Sequence, residues 1–466
     1  MIPSFHDLRD EFRPMFTLAL PVVLAEMGWM TMGMVDTLMV GRLSPEAIGA
    51  VGLGASVFMG ICIFAMGLLL GLDTLVSQAF GADDIDTCHR WLIHGVVLAL
   101  ALSLPIMGLM FWISSGLDAW GLDPSVLVLT RPYVDIVTWS VPPLLLYGAF
   151  RRYLQGMGIV GPVMLALLGA NVVNVIVNWV LIYGNLGAPA LGTAGAAWAT
   201  VLSRVAMMLA LLGTILYRER ELRRSSRGRS GGVFRVMTLE RAWFSRLLRL
   251  GLPAATQLTL EVGAFAAATA LAGRLAPASL AAHQIAINYA SLTFMVPLGI
   301  ASAGAVRVGH AVGRRDPAAA ARAGWTALLF AVVFMSVAAT VFLAMPRLLL
   351  LAFTADVGVL DVGVTLLFVA AFFQLFDGVQ GVATGILRGL GDTRTPMLWH
   401  LAAHWAIGLP LGYSLCFLLG YDVIGLWWGL SVGLVVCGVA LSVVWSRRIH
   451  QFSRMMAAPG PDTLRR

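Results

Sequence analysis

Four acidic residues lie inside long apolar stretches of this 466-residue chain: Glu26, Asp36, Glu261 and Asp377. A charged side chain in such a stretch is costly unless it faces a partner or a solvated cavity, so each acid is a candidate for a function. A buried carboxylate can bind a proton, a small metal ion or an organic cation. For Glu26 the sequence leaves a second interpretation equally open, which is a hydrogen bond between two helices.

Two of these acids lie on predicted helix faces that carry further polar groups. Asp377 belongs to a stripe with helical spacing, made of Gln374, Asp377, Gly381, Thr384 and Arg388. Glu261 follows Gln257 by one turn on a helix that otherwise presents Ala, Leu, Val and Phe. We expect both carboxylates to face the protein interior. The alternative is a polar contact between helices without further function.

Asp36 has candidate partners in the same half of the chain. Asn174 and Asn178 share one face of a predicted helix, and Thr200 lies on the next one. Amide, hydroxyl and carboxylate oxygens are the ligands that a small hard cation prefers. The sequence therefore predicts a cation site at Asp36, Asn174, Asn178 and Thr200. The alternative is that Asp36 is an acid at the end of a helix.

Other reactive residue types form no recognisable site in the sequence. His400 and His404 are four residues apart, but no acid adjoins them and the HExxH pattern is absent, so we predict no metal site beyond a sodium site. A Walker-type glycine loop, a Ser-His-Asp order and a CxxC pair are also missing, which argues against an ATP-driven pump or a hydrolase. The scattered cysteines, Cys62, Cys88, Cys416 and Cys437, are interpreted as small core residues. We expect no cofactor. If the chain transports a solute, the energy for transport has to come from an ion gradient, or else transport is passive.

Membrane-spanning helices must position these residues. With 59% hydrophobic and 12% charged residues, the chain has too little polar surface for a soluble protein of its size. No basic groove with interleaved aromatic residues appears, so nucleic acid is not an expected partner. At about 20 residues per span, twelve spans are predicted, at 15–39, 47–72, 91–114, 131–150, 162–183, 191–217, 251–272, 279–303, 322–344, 359–386, 397–419 and 423–446.

The arginines predict the orientation of the chain. Ten of them lie between Arg218 and Arg249, in a hydrophilic linker between two apolar halves. The termini, this linker and the other loops on the same side hold 26 arginines, and the loops on the opposite side hold four. Because basic loops are retained in the cytoplasm, both termini and the linker are predicted to be cytoplasmic. The predicted parts are an N-lobe (1–217), the linker (218–249), a C-lobe (250–446) and a tail (447–466).

The two apolar halves repeat one another. When the chain is shifted by 232 positions, Gly41-Arg42-Leu43 aligns with Gly273-Arg274-Leu275, and Asp84 aligns with Asp316. Six spans separate the copies, so both copies have the same orientation in the membrane, as in a parallel repeat. We expect two six-helix bundles that face each other across a central cleft.

Four segments resemble the signatures of one transporter family. They are Val35–Gly41, Ala282–Asn288, Arg307–Gly313 and Leu387–Asp392. Together, over roughly residues 15–450, the chain resembles the multidrug and toxic compound extrusion (MATE) transporters, in their NorM-type bacterial branch. The resemblance implies an all-α membrane protein with two six-helix lobes in a V shape, which exports organic cations in exchange for Na⁺ or H⁺.

The resemblance also implies site residues. It places Asp36, Asn174, Asn178 and Thr200 in the family's N-lobe cation site, and Glu261 with Asp377 in its C-lobe pair, which Gln284 of the second motif is predicted to join. Phe373 stands where sodium-coupled relatives tend to have a tyrosine, which weakens the case for Na⁺ in the C-lobe. The resemblance assigns no role to Glu26.

The leading prediction is a secondary antiporter for cationic amphipathic compounds in the bacterial inner membrane. We expect a monomer whose partners are small organic cations and the lipid bilayer. The alternative is a flippase or exporter of lipid-linked precursors or metabolites in the same superfamily, which would favour a cationic cavity, whereas the candidate residues here are acidic. A membrane-embedded enzyme is disfavoured because no catalytic constellation is present.

Overall fold

The structure is a computed structural model that describes residues 5–121, 123–225 and 239–457. Residues 226–238 of the predicted linker and 458–466 of the predicted tail lie outside the described residues. Within the described ranges the regular secondary structure is entirely helical.

Besides two short 3-10 helices at Leu117–Trp120 and Asn185–Gly187, the described residues of the first half form eight α-helices. They are α1 (Phe5–Val40), α2 (Pro45–Leu69), α3 (Gly71–Gly81), α4 (Ile85–Ser115), α5 (Pro124–Thr138), α6 (Val141–Gly156), α7 (Gly161–Tyr183) and α8 (Thr193–Ser225). The second half begins with α9 (Arg241–Ala272), α10 (Pro277–Gly313), α11 (Pro317–Ala344), α12 (Pro346–Leu351) and α13 (Val357–Leu390). It continues with α14 (Arg394–His400), a π-helical segment (Leu401–Gly408), α15 (Leu409–Tyr413), a second π-helical segment (Ser414–Leu418) and α16 (Asp422–Ala457).

Ten helical runs of the described residues are long and apolar enough to cross a membrane, and they coincide with ten of the twelve predicted spans. The predicted span 251–272 corresponds to α9. The predicted span 131–150 is divided between α5 and α6, because the chain turns at Trp139 and Ser140 and the following prolines have no backbone N–H to continue α5. Most helices extend beyond the predicted bounds, since those were set by apolar residues alone.

The internal repeat is visible in the backbone. The helical run Pro45–Gly81, which consists of α2 followed by α3, and the helix α10 (Pro277–Gly313) are each 37 residues long. Asp84 then caps α4 by accepting a hydrogen bond from a backbone N–H, and Asp316 caps α11 in the same way. The residues before these two caps have left-handed φ angles of 63° and 58°. The two halves therefore repeat both helix lengths and turn geometry, in agreement with the predicted twelve-helix, two-lobe fold.

The helices group into two compact units. The N unit comprises Leu24–Ala255, and the C unit comprises the residues up to Val23 together with those from Thr256 onward. In the N unit α7 packs against α8, and α4 packs against α6. In the C unit α13 packs against α10, α11 and α16, so the helix that carries Asp377 is central to its unit.

Candidate functional sites

Helices α1, α7 and α8 bring the four predicted N-lobe residues together in the N unit. Asn174 Nδ2 and Asn178 Nδ2 donate hydrogen bonds to Asp36 Oδ1 at 3.0 and 2.7 Å, and Thr200 Oγ1 donates to Oδ2 at 2.9 Å. All four side chains are buried, and Asp36 is only 6% exposed. Asp36 lies near the end of α1, as the alternative interpretation required, but its carboxylate is bonded on both oxygens rather than solvated.

The amide orientation at this site defines what it can bind. Both asparagines direct N–H groups at the carboxylate, and Asn178 Nδ2 also lies 3.1 Å from Asn174 Oδ1. Asn178 Oδ1 is buried and has no hydrogen-bond partner among the described residues. A buried amide oxygen without a donor is costly, and a cation beside it would satisfy it.

Glu261 of α9 and Asp377 of α13 share one amide in the C unit. Gln380 Nε2 lies 2.7 Å from Glu261 Oε1 and 3.2 Å from Asp377 Oδ1, and Gln257 Nε2 donates to Glu261 Oε2 at 2.7 Å. Both acids are buried, at 8% and 5% exposure. The predicted inward orientation is therefore present, and the residue that joins the acids is Gln380, to which the sequence analysis gave no role.

The structure does not bring Gln284 to this pair. Gln284 is exposed on α10 and makes none of the hydrogen bonds to Glu261 or Asp377. The buried neighbours of the acids are instead Gln257, Gln380 and His400. His400 Nδ1 lies 3.9 Å from Glu261 Oε2, and Thr384 of the predicted polar stripe lies 3.3 Å from His400 Nε2. The expectation that no acid adjoins the histidine pair is therefore wrong. Glu261, which lies on a different helix, adjoins His400.

Glu26 forms a buried ion pair. Arg151 Nη2 donates to Glu26 Oε1, and the two side chains are 6% and 10% exposed. Beside it, Arg152 Nη1 lies 3.2 Å from Asp73 Oδ2. Of the two interpretations of Glu26, the structure supports the contact between helices. Sequence analysis missed the partner because it placed Arg151 in a loop, whereas α6 continues to Gly156.

Two repeated halves of membrane-spanning helices, with buried acids in each unit, define a polytopic helical membrane protein. The model of the MatE family matches residues 21–180 and 253–414. The chain is 38% identical to "Probable multidrug resistance protein NorM" of Mesorhizobium japonicum, over 94% of both chains. It is 32% identical to "Multidrug resistance protein NorM" of Photobacterium profundum, over 94% of this chain and 96% of the relative. The chain therefore belongs to the MatE family.

Solved structures agree with the fold. A crystal structure of MATE in the bent conformation matches with a TM-score of 0.85 at 21% identity, over 95% of this chain and 96% of that one. The crystal structure of a eukaryotic MATE transporter matches with a TM-score of 0.83 at 19% identity, over 97% of this chain and 100% of that one. At these identities the similarity is one of fold.

Proposed function

We propose that the protein is a multidrug efflux antiporter of the bacterial inner membrane, which exports cationic amphipathic compounds in exchange for H⁺ or Na⁺. The names of its relatives support multidrug efflux. The observation that carries the exchange mechanism is the amide of Gln380, which is shared by two buried carboxylates.

Charge neutralisation at Glu261 and Asp377 is the basis of exchange. The two buried carboxylates can accept more hydrogen bonds than the amide group of Gln380 can donate. A buried charge that is left unpaired is strongly unfavourable. A proton, a sodium ion or the charged group of a substrate would each relieve this cost. Because the ion and the substrate neutralise the same charge, binding of one disfavours the other, as antiport requires.

The two sites differ in how well they suit sodium. In the N unit, the unpartnered Asn178 Oδ1, the Asp36 carboxylate and the Thr200 hydroxyl supply the hard oxygens that Na⁺ needs, and Asp36 can equally bind a proton. In the C unit, Phe373 packs against Trp427 with ring centroids 5.4 Å apart and has no oxygen to offer. We expect the Glu261–Asp377 pair to bind a proton.

An ethidium accumulation assay in cells that lack other efflux pumps tests this function. We expect cells with the parental protein to accumulate less ethidium, and we expect an uncoupler or removal of Na⁺ to abolish the difference. Glu261→Gln and Asp377→Asn should each reduce efflux at least tenfold at equal expression. Parental efflux by both variants would contradict the exchange mechanism, and unchanged accumulation with the parental protein would contradict multidrug efflux.

A further inference from the structure

Three side chains with metal-binding atoms converge in the core of the C unit. One ring nitrogen of His400, one of His404 and the Sγ atom of Cys437 all lie within 4.8 Å of one another. None of these residues is more than 1% exposed. We call them the histidine–cysteine cluster. The interpretation of Cys437 as a core residue and the prediction of no metal site here left this arrangement unused.

The local backbone explains why the three side chains meet. His400 and His404 flank the start of the π-helical segment, in which His404 O accepts from the N–H of Leu409, five residues later. Their rings stack with centroids 5.2 Å apart at 12°. On α16, Gly433 lies one turn before Cys437, and a Cβ atom on Gly433 would come within 2.7 Å of a backbone carbonyl in the π-helical segment. The absence of that Cβ allows α16 to approach closely, which places Cys437 beside the histidines.

The hydrogen bonds of the two rings leave one nitrogen of each available. His404 Nδ1 lies 3.3 Å from the carbonyl oxygen of His400, which can only accept, so Nδ1 carries the proton and Nε2 has the lone pair. Thr384 Oγ1 and Gln257 Nε2 lie 3.3 and 3.5 Å from His400 Nε2, so the side-chain hydrogen bonds of this ring are made at Nε2. Neither His404 Nε2 nor His400 Nδ1 has a hydrogen-bond partner in the described ranges of the chain. Metal-binding histidines typically have their second nitrogen bonded in this manner.

Glu261 supplies a fourth group of the same kind. Its Oε2 atom lies 3.9 Å from His400 Nδ1, beyond hydrogen-bonding distance. Two imidazoles, one thiolate and one carboxylate form a ligand set suited to zinc, whose bond lengths imply ligand separations of about 3.3–3.6 Å in a tetrahedron. Rotations of the His400, His404 and Cys437 side chains would close their separations of up to 4.8 Å to these values, and Glu261, which lies outside that group, would have to turn further toward the ion. The Glu261 side chain is 11% exposed and is the most accessible member of the proposed ligand set.

We propose that the histidine–cysteine cluster binds a divalent transition metal ion of the zinc type, with Glu261 as the fourth ligand. On binding, Cys437 loses its thiol proton to solvent and coordinates as the thiolate. The ion then holds the carboxylate that we assign to ion exchange, so Zn²⁺ acts as an inhibitor of transport. This consequence, unlike the binding itself, rests on the proposed function.

Cobalt spectroscopy of the purified, reduced, full-length protein tests binding without reference to transport. Any histidine tag has to be removed first, and Co²⁺ serves as the probe. We expect tetrahedral d–d bands and a thiolate-to-cobalt charge-transfer band at one equivalent of Co²⁺, both abolished by Zn²⁺. Cys437→Ser should lose the charge-transfer band, and His404→Gln should weaken binding at least tenfold, because even outer partners of metal ligands contribute about 10–100-fold.

Cys416→Ser is the matched control, since Cys416 is also buried in the C unit but lies outside the cluster. It should retain the parental spectrum. Absence of a thiolate band in the parental protein, or its persistence in Cys437→Ser, would overturn the proposal. In ethidium efflux, Zn²⁺ should inhibit the parental protein and Cys416→Ser reversibly, with a chelator restoring activity, and should spare Cys437→Ser. Zinc that binds without inhibiting would exclude Glu261 as a ligand. If the parental protein transports no ethidium, the cobalt spectra still decide whether the metal site exists.

Discussion

At Asp36, three donors hold one buried carboxylate, and this arrangement makes the coupling ion testable by mutation. If Na⁺ binds, Asn178→Ala and Thr200→Ala each remove an oxygen that no neighbour replaces. We then expect the apparent affinity for Na⁺ to fall about tenfold in each, since an interaction with a charged group contributes about 1.5 kcal/mol. If a proton binds instead, both variants should affect efflux much less than Asp36→Asn does.

The measurement is ethidium efflux with and without Na⁺, at pH 6 and at pH 8. An ion shifts a conformational equilibrium only through its different affinity for the two states, so an essential Asp36 has to be ionisable. Undiminished efflux by Asp36→Asn in all four conditions would reduce Asp36 to a structural acid near the end of α1.

The Glu26–Arg151 pair makes a prediction about stability. Arg151→Ala leaves Glu26 as an uncompensated buried charge, which typically costs about 3–5 kcal/mol. We expect a large decrease in the thermal unfolding midpoint in detergent, and recovery of most of it in the double variant Glu26→Gln/Arg151→Gln, which removes both charges.

The control for this prediction is the Arg131–Asp118 pair, whose side chains are 39% and 62% exposed. Asp118→Ala should change stability by about 1 kcal/mol or less, because solvent screens an exposed pair. Equal effects of Arg151→Ala and Asp118→Ala would mean that the buried pair is not the stabilising contact described here.

At the scale of helices, close packing of α16 depends on glycine. Gly425, Gly429 and Gly433 recur every four residues on α16, a spacing that lets helix backbones approach each other. A Cβ atom on Gly429 would lie 2.2 Å from the backbone nitrogen of Gly412. We expect Gly429→Ala to destabilise the protein by about 1–3 kcal/mol, as overpacking does.

Gly213→Ala is its counterpart on α8, where the added Cβ atom would meet no other atom within 4 Å. Alanine there should be neutral or stabilising by about 0.5–1 kcal/mol, because glycine is unfavourable inside a helix. The measurement is the thermal unfolding midpoint of both variants. Similar midpoints would argue against a close approach of α16 to the backbone of α15 at Gly412.

Helices and their contacts differ in how far the sequence predicts them. Hydrophobic length is sufficient for the spans, apart from the division of 131–150 between α5 and α6, and the i, i+4 spacing of Asn174 and Asn178 is sufficient to place both on one face of α7. Spacing along one helix carries no information about which other helix faces it. For this reason Arg151 was not matched with Glu26, Gln380 was not matched with Glu261, and His400 was separated from the acid that adjoins it. The π-helical segments also have no simple residue pattern that predicts them.

At the scale of the whole molecule, the exposed surface fits a bilayer. Leu104 is 75% exposed, Val128 71% and Trp112 72%, and many other large apolar side chains are exposed as well. In water such a surface would aggregate, whereas lipid chains solvate it. The candidate ion-binding acids Asp36, Glu261 and Asp377, in contrast, lie in the interior of their units.

Orientation in the membrane is the last prediction, and it follows from the 26 arginines on one side against four on the other. We expect Ser230→Cys in the linker, a position outside the described residues, to react with an impermeant thiol reagent only after the cells are permeabilised. Ala355→Cys, in the exposed loop before α13, should react in intact cells. The four native cysteines are buried, so the background from the parental protein should be low. If Ser230→Cys is labelled in intact cells and Ala355→Cys is protected, the topology is the inverse of the predicted one. The basic linker would then not follow the positive-inside rule.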